Sequence, residues 1–216
     1  MKRTLLVACV VSAAACASRA QEPPRAAAPV PAEQARPLAS LAAQRVVVTP
    51  VFSVRRDDAL GWGAAIARPR ATMRALDSAI VAEFDERGMR RRWYFAPDLD
   101  RSYQVNPTYS PDPYDLAESG LRNGLPPGER YGEPLATQLR TLIALHDDAR
   151  LVLMPVEVRF EKDGAQGRAV LRLVLVDARL VESRWTGEVR SDPAPAFGPA
   201  VLASLASHFA DMVASP

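Results

Sequence analysis

The sequence predicts an α/β (α+β) domain: a single mixed β-sheet of about five strands with an antiparallel C-terminal hairpin, packed by about three helices. Three observations predict it. Runs rich in Val and Leu alternate with stretches whose apolar residues recur every three or four positions. The two strongest strand runs, 151–160 and 169–177, are separated by Lys162-Asp163-Gly164 and Gly167, a turn-forming spacing that makes them a hairpin. The 172 residues from Arg45 onward show no internal repeat and suffice for one core.

The elements follow in order. Val46-Val47-Val48-Thr49, with Val51 and Phe52 beyond Pro50, reads as a strand whose proline marks a bulge or the end of regular pairing. Residues 55–71 carry charges, two glycines and Pro69, and read as a loop holding Trp62. Met73, Leu76, Ile80 and Phe84 place a helix over 72–87, stopped by Gly88. Residues 93–96 form a short strand ended by Pro97. Leu135, Leu139, Leu142 and His146 share one face of a second helix, which Pro134 can start because its missing N–H needs no partner in the first turn. In the run 169–177, Leu171, Leu173 and Leu175 face one side and Val170, Val174 and Val176 the other, so both faces are expected to be buried. The run 183–190 puts Trp185 and Val189 on one side and Arg184, Thr186, Glu188 and Arg190 on the other. A closing helix spans 196–213 through Phe197, Val201, Leu205, Phe209 and Met212.

Lys2 and Arg3 precede an apolar run, Leu5 to Val11, that passes into small residues at 12–15. That is the layout of a bacterial signal peptide over residues 1–15, too short for a membrane span of about 20 apolar residues. Ala13-Ala14-Ala15-Cys16 resembles a lipobox, so Cys16 is the expected lipidation site. Leu6-Val7-Ala8-Cys9 fits the short pattern but lies too near the initiator for export. The alternative is ordinary cleavage after Ala17 or Ala20. Residues 16–44, rich in Ala, Pro, Arg and Gln, read as a linker able to span about 30 Å as coil or about 90 Å fully extended.

With both cysteines spent in this way, disulfides, Cys-ligated zinc and a cysteine nucleophile are not expected. Of 27 basic and 25 acidic residues, removing Lys2 and Arg3 leaves 25 against 25, so no nucleic-acid partner is expected. Arg90-Arg91-Arg92 before Trp93-Tyr94-Phe95 reads as a helix end running into a strand.

The run Leu173-Val174-Leu175-Val176-Asp177, leading through a short turn to Trp185 and Gly187, resembles a superfamily of envelope α/β domains. Its members include the amino-terminal domain of the Tol translocation protein, the curli-secretion lipoprotein and lipoprotein activators of peptidoglycan synthases. Ala178-Arg179-Leu180-Val181 stands where those relatives typically have a Thr-Gly turn. The resemblance implies a non-catalytic domain that binds envelope partners, and it transfers no site residue.

Chemical constellations are sparse. His146-Asp147-Asp148 could supply a base with a carboxylate partner or metal ligands, but it equally describes a helix end with solvated acids. His208 beside Phe209 reads as a packing residue. Asp57-Asp58 and the Asp98 and Asp100 pair read as solvated loop acids. No catalytic, cofactor or metal residue is assigned. The loop 97–134 holds Tyr103, Tyr109, Tyr114 and Tyr131 among seven prolines, with a short helix considered over 113–121. Tyrosine offers a large amphipathic surface at low entropic cost, so these four are the candidate partner-binding residues.

The expectation is therefore a lipid-anchored accessory or assembly protein in the periplasm, with the outer membrane favoured, acting through protein contacts. A homo-oligomer is left open. The alternatives are a soluble periplasmic or secreted enzyme using His146 and nearby acids, or a small-ligand module with Trp62 or Trp93 in its pocket.

Overall fold

The computed structural model describes residues 36–117 and 126–214. The expected signal, Cys16 and most of the expected linker lie outside the described residues.

Strand β1 (Val46–Val48) is buried along its whole length, as a β-branched run with no polar face should be. Pro50 ends its ladder, and the chain rejoins the sheet as β2 (Ser53–Val54). Between them the Thr49 and Phe52 N–H groups donate to the carbonyls of Leu153 and Pro155. The stretch expected as a loop then contains helix α1 (Trp62–Ala65). The Asp58 carboxylate supports its start, accepting from the N–H groups of Leu60, Trp62 and Gly63 at 2.7–3.1 Å. Asp58 is thus a local cap rather than a free loop acid.

Helix α2 (Pro69–Glu86) starts with its proline at N1 and buries Leu76, Asp77, Ile80 and Phe84. Gly88 turns the chain out of it at φ 70°. Strand β3 (Trp93–Tyr94) is shorter than expected, because helix α3 (Ala96–Val105) begins at Ala96. Asp98 accounts for this, its Oδ2 accepting from the Phe95 N–H at 2.9 Å and from Arg90 Nη1 at 2.8 Å. The supposed long loop from residue 97 is therefore helical in its first part. The described part of the short helix considered over 113–121 is turn, and the remainder lies outside the described residues.

Helix α4 (Leu135–Leu145) leads into the hairpin of β4 (Leu151–Asp163) and β5 (Gln166–Asp177). Strand β6 (Glu182–Arg190) and helix α5 (Pro199–Asp211) complete the domain. The sheet order is β3-β1-β4-β5-β6, with β2 also pairing β4. The β1–β3, β1–β4 and β2–β4 pairs are parallel, and β4, β5 and β6 are antiparallel. The mixed sheet has six strands rather than about five, with five α-helices among the described residues, two more than the long periodic runs indicated.

Helices cover both faces. On one, Leu76, Ile80 and Phe84 of α2 and Val201, Leu205 and Phe209 of α5 pack on Val46, Val48, Leu153, Leu171 and Leu173. Phe84 centres an aromatic cluster, 5.0 Å from Trp93, 5.3 Å from Phe95 and 5.2 Å from Phe209. Leu38 and Leu41 join this core, and the Leu38 N–H donates to the Met212 carbonyl, so the packed region begins ahead of Arg45. On the other face, Leu99 of α3 and Leu135, Leu139 and Leu142 of α4 cover Val47, Val152, Met154, Val174 and Val176. The two-sided burial read for β5 is thereby explained.

Candidate functional site

The topology opens a crevice at a definable place. From the carboxyl end of β1 the chain crosses to the face carrying α2, and from β3 it crosses to the face carrying α3. Where neighbouring parallel strands send their connections to opposite faces, a cavity is left beyond their ends. A pocket of about 480 Å³ lies there. Thr49 to Phe52 form one wall, and the buried Met154 and Val156 of β4 back it. Arg70, Met73 and Arg74 come from α2, and Asp100, Tyr103 and Gln104 from α3. The turn carrying Asp112, Tyr114 and Asp115 closes the rim.

The Tyr114 ring lies under the Arg74 guanidinium, 5.0 Å from its centroid, and burial followed by the charge of Asp77 raises its phenol above the ordinary 10.0. Asp112 accepts from the Tyr114 N–H at 2.8 Å, and Gln138 of α4 accepts from the Ala117 N–H at 2.8 Å, so both the turn and the chain beyond it are tied to the fold.

Behind the wall sits Asp77, only 6% exposed. Its Oδ1 accepts from the Val51 N–H at 2.8 Å, while its buried Oδ2 has no hydrogen-bond partner among the described residues. Burial is the largest influence and pushes the carboxyl up to about 7, against the opposing Val51 N–H and Arg74 charge. Sequence reading passed over Asp77. The signal was its place in the apolar stripe, since 73, 76, 77, 80 and 84 keep helical spacing and an acid among them must be buried.

The structure places the other candidates as follows. Tyr103 lines the pocket, partly buried. Tyr109 is 76% exposed and follows, one short turn on, the 70% exposed Val105 that ends α3. Tyr114 is at the pocket rim. Tyr131 is buried against the α4 side of the core, its N–H donating to the Val181 carbonyl. Trp62 and Trp93 are both core residues on the α2 and α5 face and do not line this pocket, which corrects their assignment to a ligand site.

His146 is not on a regular helical face but caps α4, and it is buried. Its Nδ1 meets the Leu142 carbonyl at 2.7 Å, which assigns the proton to Nδ1, and Nε2 lies 3.1 Å from Ser102 Oγ. Asp147 instead accepts from the Tyr94 hydroxyl, a bond that, with burial, raises the phenol above 10.0. The arrangement holds α4 to α3 and β3, and the carboxylate of Asp147 is engaged away from the imidazole. Among the described residues no group of three or more His, Cys, Asp or Glu is placed to hold a metal ion. His208 Nδ1 donates to the Arg190 carbonyl at 2.7 Å, docking α5 on β6.

No family model and no curated protein matches this chain. Among solved structures, the PelC dodecamer from Paraburkholderia phytofirmans is similar at 11% identity and a TM-score of 0.35, covering 81% of this chain and 91% of its own. Lipoprotein GNA1162 from Neisseria meningitidis is similar at 14% identity and a TM-score of 0.36, covering 77% of this chain and 94% of its own. Similarity at that level leaves the function of this chain to be argued from its own residues.

Proposed function

We propose that this chain is a cell-envelope lipoprotein, anchored through Cys16 with its domain in the periplasm and the outer membrane as the favoured destination. It acts there as a non-catalytic accessory or assembly protein. The observation that carries the binding role is the exposed pair Val105 and Tyr109, held out on backbone that is hydrogen-bonded rather than loose. The Asn106 N–H donates to the Ser102 carbonyl, and the Tyr109 and Ser110 N–H groups to the Asn106 carbonyl. A large amphipathic side chain already ordered in the free protein loses little entropy on binding. The partner is an envelope protein, reached from an anchor whose expected linker is long enough to clear the lipid. The charge preceding the apolar run at Leu5, and the Ala-Ala-Ala-Cys spacing, support the anchor.

Two measurements test this. Intact mass of the processed protein should show a diacylglyceryl-modified chain beginning at Cys16, and an unmodified chain beginning at Ser18 or Gln21 overturns the anchor. In-cell cross-linking with affinity recovery should yield an envelope protein with the intact chain and lose it with Val105→Ser plus Tyr109→Ser. Equal recovery with both chains removes the surface from the proposal.

A further inference from the structure

The pocket beyond β1 is bipolar. Arg70 and Arg74 project from the first two turns of α2, and Asp100 from α3, with Asp112 and Asp115 on the turn beside it. These two helices lie on opposite faces of the sheet, so the opposite charges enter the cavity from different elements. Among the described residues, neither arginine and none of these three acids is ion-paired. Asp100 takes only a marginal contact from Gln104 at 3.5 Å, and Arg74 lies over the Tyr114 ring. Elsewhere in this protein opposite charges that come together do pair, as Arg159 does with Glu188 at 2.7 Å and Arg87 with Asp211 at 2.6 Å. Here they line one concavity without an ion pair, Asp112 accepting only from the Tyr114 N–H at 2.8 Å. Val51, Met154 and Val156 back the cavity but are almost fully buried, so what a ligand would meet is mostly polar.

We infer that this pocket binds a small zwitterion of the α-amino acid or short-peptide class. Its carboxylate lies toward Arg70 and Arg74, its ammonium toward Asp100, Asp112 and Asp115, and its short aliphatic portion beside Met73. A ligand of a single charge would meet one favourable pole and one opposed pole, whereas a zwitterion satisfies both. The volume of about 480 Å³ lies within the range of small-molecule sites, roughly 300–1,000 Å³, and has room for a short peptide as well as a single amino acid. Asp77 supports the geometry by holding the Val51 N–H at the pocket wall. The inference goes beyond the partner contact at Val105 and Tyr109, neither of which lines the pocket, so each can fail without the other.

The test uses the full processed chain with methyl-labelled methionine, because Met73 and Met154 line the pocket while Met89 and Met212 do not. The probes are alanyl-alanine, its N-acetyl form and its C-terminal amide. Alanyl-alanine should shift the Met73 and Met154 resonances and leave Met89 and Met212 in place. Each blocked form should bind at least about tenfold more weakly, as loss of one charge-assisted contact requires. Arg74→Gln should bring alanyl-alanine down toward the amide while leaving the amide unchanged, and Asp100→Asn should do the same relative to the N-acetyl form. Equal affinity for all three probes overturns the inference, as does the absence of shifts at Met73 and Met154 up to about 10 mM dipeptide, beyond the weakest affinity worth calling specific.

Discussion

Replacing Asp77 by Asn should change how stability depends on pH, and the direction follows from the burial of the carboxyl. In the unfolded chain the group titrates near its ordinary 3.8, and in the folded protein burial moves it to about 7. Between those values the folded state holds a proton that the unfolded state has released. The derivative of unfolding free energy with pH is then negative, so stability falls as pH rises from 3.8 toward 7 and levels off above it. The full penalty on the charged form is about 4 kcal/mol at pH 8, of which about 1.5–2 kcal/mol is already present at pH 5. Asparagine keeps an acceptor for the Val51 N–H, now 2.8 Å from Oδ1, but cannot ionise. Its buried amide adds an offset that is the same at every pH. Urea unfolding of wild type and Asp77→Asn at pH 5, 6, 7 and 8 should therefore show the variant gaining about 2–3 kcal/mol relative to wild type across the series. Every group other than residue 77 is common to both proteins and cancels in the difference. A difference that is constant with pH, or that moves against the variant as pH rises, would falsify the claim that burial of Asp77 outweighs its Val51 hydrogen bond and the Arg74 charge.

Other substitutions probe how the two faces are held. Arg87 is nearly buried and joins α2 to α5 through Glu83 at 2.7 Å and Asp211 at 2.6 Å. Arg87→Met should destabilise by about 2–3 kcal/mol, less than a fully buried pair because Asp211 remains hydrated, as read from denaturant unfolding. At Gly167 an added Cβ would lie 2.5 Å from Leu60 Cδ1 and 2.7 Å from the Trp62 ring. Gly167→Ala should cost about 1–3 kcal/mol and perturb Trp62 fluorescence, whereas an unperturbed spectrum would mean that the indole is not held against the β4–β5 turn. Val105→Ser with Tyr109→Ser removes surface rather than core, so its unfolding free energy should stay within about 1 kcal/mol of wild type while partner recovery is lost.

Most of the sheet was legible because its signals are local. Two long alternating runs around a Gly-containing turn could hardly be other than a hairpin, and the Leu76, Ile80 and Phe84 stripe named its helix without ambiguity. Two helices escaped for different reasons. The α3 sequence, APDLDRSYQV, buries only Ala96 and Leu99, and its start depends on the Asp98 side chain reaching back to the Phe95 N–H. Pro97 reads as a breaker unless that first-turn position is recognised. Helix α1 is four residues long and is supported from outside by Asp58. The packing of Leu38 and Leu41 was hidden because their partner is the far end of the chain, beside Met212.

The site was legible as residues but not as a place. Tyr103 and Tyr114 stood out by composition, yet what joins them is the reversal of connection direction at β1 and β3, a property of strand order that no local window contains. The same reversal decides which aromatic residues could touch a ligand. Trp62 and Trp93 go to the α2 and α5 face and are consumed by packing, while tyrosines on α3 and the following turn reach the crevice. Asp77 was the residue whose pattern carried the missing information, since an acid inside an apolar stripe is either paired or neutral. In this fold it holds Val51, and with it the wall along which the pocket opens.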